Sequence, residues 1–552
     1  MKVLTAGDSA RPLPDGRGSE PEFGIRGYPV GERDRPYGGA AHMKVLTTGE
    51  MREVDRRTVE MGIPGIVLME NAAHRVVEFL AERCAPLAGQ RIAVLCGKGN
   101  NGGDGLAIAR QLFTRFQPRA LHVVLLAAPE DLRGDAAANY RMLAVCGCPV
   151  THEIPAEARN ATLVVDALLG TGMTGAAGGR ILEAIRTING GFPLAKMLAV
   201  DIPSGMAADT GEPAAEFVRA DYTVTFTAPK PAHVLPPNCD HVGEWVVGAI
   251  GSPPSLYQDV WLSLIEPAMF QPLLAPRPRG GYKGTFGHVL IVAGSRGKTG
   301  AAAMSGLGAL RAGAGLVTVA SAASAIAEIA AHAPELMTEP LAETPMGSIA
   351  LNAGLEKLAE GKPVVAMGPG LGRHAEVEML VASAVETFPQ PMVLDADALT
   401  EQLTGAPGRV RVLTPHPGEM ARLTGKTTSE VQQDRVGTAR ALATARSVIL
   451  VLKGERTVLA FPDGRVWINP TGTPALGTGG SGDILTGMIS GLLAQFPGQP
   501  AEAVAAAVYL HGLAGEIGAR ALGEKSLIAT DILKYLPDAI SFAAALAGPP
   551  SA

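Results

Sequence analysis

Short apolar runs alternate with amphipathic stretches along most of this 552-residue chain. The first half contains, in chain order, RIAVLC, LHVVLLAA, TLVVDALLG, KMLAVDIPSG and DYTVTFTA. The second half continues with GHVLIVAGS, GLVTVAS, KPVVAMGPG, PMVLDAD, RVRVLTPHPGE and SVILVLKG. Strands of a parallel sheet read as continuous apolar runs, because helices cover both faces of the sheet. The pattern therefore predicts an α/β protein whose two halves each form a three-layer α/β domain.

The alternation breaks twice near the middle of the chain, at GSPP from Gly251 and at APRPRGG, residues 275–281. We therefore predict a first domain at 43–250, a linker at 251–276 and a second domain at 277–552. Because the boundary is rich in Pro and Gly, each half is expected to work when the chain is cut near residue 276. The opening MKVLTAG recurs at Met43 as MKVLTTG, so residues 1–42 are interpreted as a disordered arm or a mis-assigned start.

Composition narrows the function classes. The formal charge is -6 and both signs are distributed along the chain, which disfavours nucleic acid as a partner. The longest apolar-looking stretch lies between Arg311 and Glu328 and is too short and too weakly apolar for a membrane span. Five cysteines without a CxxC pair, and no apolar leader, predict the reducing cytoplasm. A homo-oligomer is expected.

Three loops at strand ends carry the polar residues of the first half: CGKGNNGGDG at 96–105, DALLGTGMTG at 166–175 and DIPSG at 201–205. Gly97, Gly99 and Gly102 match GxGxxG, a weak signal that allows close backbone approach to a pyrophosphate. Loops at the carboxyl ends of parallel strands meet at one edge of the sheet. Asn101, Asp166 and Ser204 could then supply oxygen ligands to a hard cation, with Asp201 free for acid–base work. The alternative is that both aspartates only cap turns.

These loops, together with IPGIVLMENA at 63–72, resemble the NAD(P)H-hydrate epimerase family over about 43–250. The resemblance implies a Rossmann-like domain that interconverts the R and S epimers of the hydrated cofactor at C6. It implies potassium at Asn101, Asp166 and Ser204, and contact of Asp201 with the reacting ring. It also implies that the hydrate is bound by two runs of residues: Asn100, Asn101, Gly102, Gly103 and Asp104, and Gly170, Thr171, Gly172, Met173, Thr174, Gly175 and Ala176. A non-catalytic binding module is the alternative, because similar domains occur in scaffold proteins.

The second half contains GSRGKT at 294–299, which fails as a P-loop because Val292 stands where the first glycine is required. A better anion site is NPTGTPALGTGGSGDILTG at 469–487, where glycines lead directly into a helix. Free amides and the helix dipole would there surround developing negative charge. Asp483 could then accept a proton from a substrate hydroxyl. The alternative is an N-cap aspartate behind a flexible turn.

The GGSGD loop resembles the anion hole and catalytic base of ribokinase-like kinases. The more specific resemblance, over about 277–545, is to ADP-dependent NAD(P)H-hydrate dehydratase, through KGTFGHVLIVAGS, RAGAGLVTVA, GPGLG, LDADAL, TPHPGEMARL, KGERT and NPTGTPALGTGGSGD. It implies a hydrate site at Ala301, Gly370, Gly372, His416 and Asp483, and a nucleotide site at Lys453, Gly454, Glu455, Arg456, Thr457 and Gly482. Without the resemblance, His416 alone would be interpreted as a turn residue and Lys453 alone as a charged residue on the surface.

Both resemblances together predict a bifunctional repair enzyme that acts on NADHX and NADPHX. The second domain would phosphorylate the 6-hydroxyl of the S epimer with ADP, Mg²⁺ accompanying the nucleotide, and loss of phosphate would restore NAD(P)H. The main alternative is a vitamin or sugar kinase of the ribokinase-like type in the second half. ADP against ATP, and NADHX against NADPHX, stay open at this point.

Overall fold

The computed structural model describes residues 42–172, 175–211, 215–406 and 408–548. The interpretation of residues 1–42 therefore lies outside the described residues except at His42, whose ring packs on Trp467 with centroids 5.6 Å apart. The expectations for Met173 and Thr174 also lie outside them.

The first half forms a seven-stranded parallel sheet in the order β3-β2-β1-β4-β5-β6-β7. Its strands are almost wholly buried, as expected for a sheet with helices on both faces. The elements run in the order α1 (Thr48–Glu60), α2 (Gly65–Arg83), β1 (Arg91–Cys96), α3 (Asn100–Arg115), β2 (Ala120–Leu125), α4 (Gly134–Val145), β3 (Val150–Thr151), β4 (Leu163–Ala167), α5 (Gly179–Gly191), β5 (Lys196–Val200), β6 (Tyr222–Phe226), α6 (Pro231–Val234) and β7 (Glu244–Gly248).

The second half forms a ten-stranded sheet in the order β11-β10-β9-β12-β13-β14-β15-β16-β17-β8. Within the described residues, β16 alone is antiparallel to its neighbours; it forms a hairpin with β17 through the turn at Pro462–Gly464. The elements are β8 (Leu262–Leu264), β9 (His288–Val292), α7 (Thr299–Arg311), β10 (Leu316–Ala322), α8 (Ile326–His332), β11 (Met337–Leu341), α9 (Leu355–Ala359), β12 (Val364–Met367), α10 (Ala375–Thr387), β13 (Met392–Leu394), β14 (Arg411–Leu413), α11 (Pro417–Thr424), α12 (Thr428–Gln433), α13 (Arg435–Arg446), β15 (Ile449–Leu452), β16 (Val458–Ala460), β17 (Val466–Ile468), α14 (Ser481–Gln495), α15 (Pro500–Leu522) and α16 (Ala529–Ala547).

The strand order reverses direction at one place in each sheet, between β1 and β4 in the first and between β9 and β12 in the second. Connections leave such a pair of neighbouring strands toward opposite sides, which opens a crevice at their carboxyl ends. The loops after β1 and β4, and those after β9 and β12, therefore border the two crevices. These loops contain NNGGDG and LLGTG in the first domain, and GSRGKT and GPGLG in the second.

Helix α14 crosses α7 at unusually close range beneath the second crevice. A Cβ at Gly487 would overlap the carbonyl oxygen of Ser305, and one at Gly308 would lie 2.5 Å from the carbonyl oxygen of Ile484. Glycine at both positions lets the two backbones touch, because no side chain separates them. This contact holds the first half of α14 against the middle and the C-terminal part of α7.

The segment 251–276, predicted as a linker, contains a strand of the second sheet. Strand β8 pairs in parallel with β17, and its other edge pairs with Met43–Val45 through two backbone hydrogen bonds of 2.8 and 3.0 Å. The LSL sequence of β8 is too short to show a strand pattern, which is why the sequence placed it in a connection. The segment is thus part of the second sheet rather than a free tether.

One buried hydrophobic cluster joins the two domains. From the first domain it includes Ile202, Met206, Val234 and Trp245, and from the second it includes β8, β17 and the central strands. Trp245 is fully buried. An apolar core shared in this way resembles an obligate interface more than a contact between independent domains.

Among the described residues, no helix combines the length and the apolar character that crossing a membrane requires.

The shared core predicts that the two halves do not behave as independent proteins. A chain cut at 276 leaves β8 on the first fragment and exposes both the edge of β17 and the apolar surface around Trp245. We expect each fragment alone to melt at a lower temperature than the intact chain, and co-expressed fragments to co-purify. Two soluble monomeric fragments that melt at the temperature of the intact chain would contradict this expectation.

Candidate functional site

The loop after β1 is held against the loop after β4 by glycine. A Cβ at Gly97 would overlap the carbonyl oxygen of Leu168, and one at Gly102 would overlap that of Gly97, whereas Gly99 faces open space. From the sequence, these glycines were expected to let the backbone approach a bound pyrophosphate closely. The structure shows instead that Gly97 and Gly102 allow the protein to pack on itself, and only Gly99, the N-cap of α3, is open to a ligand.

The three predicted cation ligands come together behind these loops. Both carboxylate oxygens of the fully buried Asp166 accept from Ser204, its Oγ at 2.6 Å and its backbone N–H at 2.8 Å. The Asn101 amide donates to the carbonyl of Leu169 at 2.9 Å, and its buried Oδ1 has no hydrogen-bond partner. Burial raises the pKa of Asp166 to about 6, and its hydrogen bonds from Ser204 and Leu168 oppose the rise.

Asp201 lies in a strained turn directly after β5. Its φ is +66°, a left-handed conformation that costs about 1–3 kcal/mol in a non-glycine residue. The Lys230 ammonium donates to its Oδ1 at 2.5 Å and the Thr225 hydroxyl at 3.0 Å, while His233 Nε2 lies 3.0 Å from its carbonyl oxygen. Although burial opposes the change, Lys230 holds the pKa of Asp201 below its usual range. Asp201 is thus an ionised and firmly oriented carboxylate.

Two further carboxyl groups face Asp201. Asp55, on α1, has a buried Oδ1 without a hydrogen-bond partner, and burial raises its pKa to about 6. Burial, with the charges of Asp201 and Asp55, raises the pKa of Asp104 well above its usual range. Sequence reasoning missed Asp55, Lys230 and His233, because none belongs to the three glycine-rich loops; the only signal was a lysine after strand β6 in TAPKP.

An open cleft of about 180 Å³ lies beside this cluster. It is lined by the start of α1, the loop after β4 and the loop after β5: Thr48, Gly170, Thr171, Gly175, Met206, Ala207, Ala208, Asp209 and Thr210. Of the predicted hydrate-binding residues, Gly170, Thr171 and Gly175 border it. Asn100, Gly172 and Ala176 are exposed, whereas Gly103 packs against Met69.

In the second domain the glycine loop leads into α14, as predicted. Gly480 caps the helix with φ +96°, and Gly479 has open space where a side chain would stand. His511, buried beneath, lies 3.0 Å from the carbonyl oxygen of Ser481 through Nε2. Burial lowers the pKa of His511 to about 4, so the ring is neutral. In the same turn, the amides of Gly482 and Asp483 have no backbone acceptor among the described residues, which leaves them available to an anion.

Asp483 lies in the first turn of α14 and is half-buried. Burial raises its pKa to about 7, helped by the charges of Asp395 and Asp397 and opposed by Lys453. A carboxyl group of this kind changes its protonation state near neutral pH, which is what a general base requires. Sequence reasoning found Asp483 but missed Asp395 and Asp397, although both stand in the LDADAL motif.

Lys453 is not a surface charge. Its ammonium donates to Asp395 Oδ1 at 2.7 Å, and the second oxygen of Asp395 accepts from Thr486 at 2.7 Å. A Cβ at Gly482 would lie 3.2 Å from the Lys453 ammonium. The lysine thus lies beneath the glycine loop, where it brings positive charge to the anion site.

Three predicted hydrate residues lie around the second crevice. Gly370 packs against Ala301 and Lys298 at the start of α7, and its carbonyl accepts from Ser295 at 2.7 Å. The Gly372 amide donates to Asp397 Oδ2 at 2.9 Å. Lys298 and Arg373, which sequence reasoning also missed, lie 3.7 and 3.6 Å from the same carboxylate.

His416 is the N-cap of α11. Its Nδ1 accepts from the amides of Gly418 and Glu419 at 3.0 and 3.3 Å, so the turn interpretation describes this nitrogen. Its Nε2 lies 3.5 Å from Glu419 Oε1, and the side chain is more than half exposed, so an edge of the ring remains open to a ligand. In the predicted nucleotide loop, Gly454 and Glu455 are exposed and Arg456 donates to the carbonyl of Pro470 at 2.6 Å.

Comparison with protein families divides the chain as the two sheets do. Residues 65–232 match the model described as YjeF-related protein N-terminus, and residues 289–538 match the model described as NAD(P)H-hydrate dehydratase.

Curated relatives span both domains. A bifunctional NAD(P)H-hydrate repair enzyme of Moorella thermoacetica is 43% identical over 90% of this chain and 96% of its own length, and one of Thermofilum pendens is 38% identical over the same shares. Among solved structures, an ADP/ATP-dependent NAD(P)H-hydrate dehydratase of Bacillus subtilis, co-crystallised with ATP/Mg²⁺, is 35% identical over 51% of this chain and 98% of its own, with a TM-score of 0.46. The chain therefore belongs to the family of bifunctional NAD(P)H-hydrate repair enzymes.

Proposed function

We propose that the two crevices are the two active sites of one repair reaction. The first domain interconverts the R and S epimers of hydrated NAD(P)H, and the second dehydrates the S epimer at the expense of a nucleotide. The main support for this proposal is that polar side chains cluster at the strand reversal of each sheet, in a chain whose relatives are named as NAD(P)H-hydrate repair enzymes.

In the dehydratase domain, Asp483 takes the proton of the 6-hydroxyl as that oxygen attacks the β-phosphorus of ADP. The bond from this phosphorus to the oxygen of AMP breaks, and AMP leaves. The C6–O bond then breaks, phosphate departs and the proton on C5 is lost, which restores NAD(P)H. Phosphate is a better leaving group than hydroxide, and this difference is why phosphorylation precedes dehydration.

The glycine loop supports the phosphoryl-transfer step. Its amides and Lys453 bring positive charge to the side of α14 on which Asp483 lies. Charge that develops on the transferred group is thereby stabilised without reorganisation of solvent. The nucleotide would contact Lys453, Gly454, Glu455, Arg456, Thr457 and Gly482, and a Mg²⁺ ion bound with it would neutralise phosphate charge.

The hydrate would lie on the opposite rim of this crevice, against Ala301, Gly370, Gly372 and the exposed edge of His416. Lys298 and Arg373 extend that rim with positive charge. Two cationic side chains beside the glycine turn would suit the pyrophosphate of a dinucleotide.

The chemistry around Asp166 fits a monovalent cation. A fully buried carboxylate that pairs with no Lys or Arg of the described residues leaves a negative charge uncompensated, and the orphaned Asn101 Oδ1 adds a neutral oxygen. One carboxylate with neutral oxygens suits potassium better than a transition metal. We therefore propose potassium at Asn101, Asp166 and Ser204, where it would supply the missing positive charge and hold the two loops together.

We propose that the protein is a cytoplasmic homo-oligomer and that it binds neither nucleic acid nor a membrane. The five free cysteines support a reducing compartment.

Asp483→Asn is expected to lower the dehydratase rate at least about 10²-fold, because the amide cannot take the proton. The wild-type kcat/KM should rise with pH through about 7, where the carboxylate forms, and the variant should lack this rise. Stability should not fall: the raised pKa means that ionisation of Asp483 weakens the fold as pH rises toward 7, so the variant should melt at or above the wild-type temperature at pH 8. The measurement is a steady-state assay of reduced cofactor.

Asp538→Asn is the control, because Asp538 is an exposed aspartate on helix α16, outside the glycine loop and the strands that border the crevice. It should keep the wild-type rate, and Asp483→Asn should keep R/S epimerisation. A near-normal dehydratase rate in Asp483→Asn would remove this residue from the mechanism. A stable phosphate ester as the wild-type product would instead identify a small-molecule kinase.

Replacing potassium by a large organic cation is expected to slow R-to-S conversion and to leave dehydration of pure S epimer unchanged. Asp166→Asn should remove the response to potassium, since the uncompensated charge is then gone. Asp221→Asn, which breaks an ion pair with Lys196 at the far end of β5, is the control and should respond as the wild type does. Equal epimerisation rates in both media would exclude the cation.

A further inference from the structure

The proposed epimerase reaction, on which this inference rests, needs a proton donor as well as an acceptor. When the C6 hydroxyl leaves as water, its oxygen must be protonated, and the ring nitrogen stabilises the cation that remains. When water adds to the opposite face, its proton must be removed. In the R-to-S direction Asp201 suits the second task, the removal of a proton from the added water, because Lys230 and Thr225 donate to it and keep it ionised in the free site.

Asp55 lies where a donor could reach the same ring. It stands on α1, and α1 is tied to the rim of the cleft at two places: Thr48 donates to Asp209, and Arg52 donates to the carbonyl of Thr171 at 3.3 Å. Thr48, Thr171 and Asp209 all line the cleft. The helix is thus one wall of the substrate site. Asp55 follows Thr48 and Arg52 at helical spacing, so it lies on the same face of α1, close enough to Lys230 and Asp201 for their charges to affect its carboxyl group.

The Oδ1 atom of Asp55 is buried and has no hydrogen-bond partner in the described structure. An unpaired buried polar oxygen destabilises a fold, so its retention calls for a functional explanation. Lys230 does not form an ion pair with Asp55, because its ammonium donates instead to Asp201, to Thr225 and to the carbonyl of Phe226.

We propose that Asp55 is the proton donor of the epimerase site and that Asp201 is the acceptor on the opposite face of the ring. In the R-to-S direction Asp55 gives its proton to the hydroxyl oxygen, the C6–O bond breaks and water leaves. A second water then bonds to C6 from the other face, and its proton passes to Asp201. After an R-to-S conversion the proton is on Asp201, and exchange with solvent returns it to Asp55 before the next turnover; the S-to-R direction is the reverse of the same steps.

The surrounding charges favour that arrangement. The groups that face the pair are Lys230, Asp104 and His233. Lys230 keeps Asp201 ionised. Burial, together with the charge of Asp201, raises the pKa of Asp55 to about 6. Burial lowers the pKa of His233 to about 4, so this ring is neutral. Burial, with the charges of Asp201 and Asp55, raises the pKa of Asp104 well above its usual value.

The test is the R/S interconversion rate without nucleotide, followed by chromatography in ¹⁸O-labelled water. For Asp55→Asn we expect a loss of about 10²-fold or more, because the amide cannot donate a carboxyl proton. Asp55→Glu should recover part of the rate, and Glu53→Gln, an exposed position on the same helix, should leave it unchanged. In the wild type each inversion should place one labelled oxygen on C6, and the R-to-S rate should fall as pH rises through about 6.

A rate for Asp55→Asn within threefold of wild type would overturn the proposal, and so would inversion without label or a wild-type rate that does not fall above pH 6. An unchanged melting temperature and dehydratase rate of the variant would confirm that it is folded. If Asp55→Asn fails to fold, the pH profile of Asp55→Glu decides, since a shifted falling limb supports the donor role and an unshifted one contradicts it. Absence of epimerisation in the wild type would instead refute the proposed function itself.

Discussion

The reversal of strand order in a parallel sheet is the constraint on which both sites depend. Helices cover the two faces of such a sheet, and only where neighbouring strands send their connections to opposite sides does a crevice remain at the carboxyl ends. The first seven strands of the second sheet, from β11 to β15, repeat the order of the first sheet. The two halves therefore place their loops in equivalent crevices, although their sequences do not repeat.

Within each crevice a Lys–Asp ion pair lies beside a second carboxyl group. Lys230 pairs with Asp201 beside Asp55, and Lys453 pairs with Asp395 beside Asp483. Burial, together with the charge of the paired aspartate, raises the pKa of the second carboxyl group, to about 6 at Asp55 and about 7 at Asp483. Lysine limits the rise in both places.

Local patterns in the sequence predict much of the fold and part of the two candidate sites. Continuous apolar runs placed the central strands, and glycine-rich loops after strands pointed to Asp201 and Asp483. What escaped prediction depends on contacts between distant segments. Asp55 reaches the first crevice from a helix that precedes the sheet, and β8 is a three-residue strand recognisable only by its pairing with β17. The shared core around Trp245 escaped for the same reason, because one sequence cannot show which apolar faces meet.

We propose that this one chain converts either epimer of the hydrated cofactor to the reduced form. The most direct measurement supplies purified intact protein with the R epimer, ADP, Mg²⁺ and potassium, and records reduced cofactor, AMP and phosphate together. We expect all the R epimer to be consumed, with AMP and phosphate each formed in an amount equal to that of NAD(P)H. Consumption of the S epimer alone, or accumulation of a phosphorylated hydrate without reduced cofactor, would contradict it.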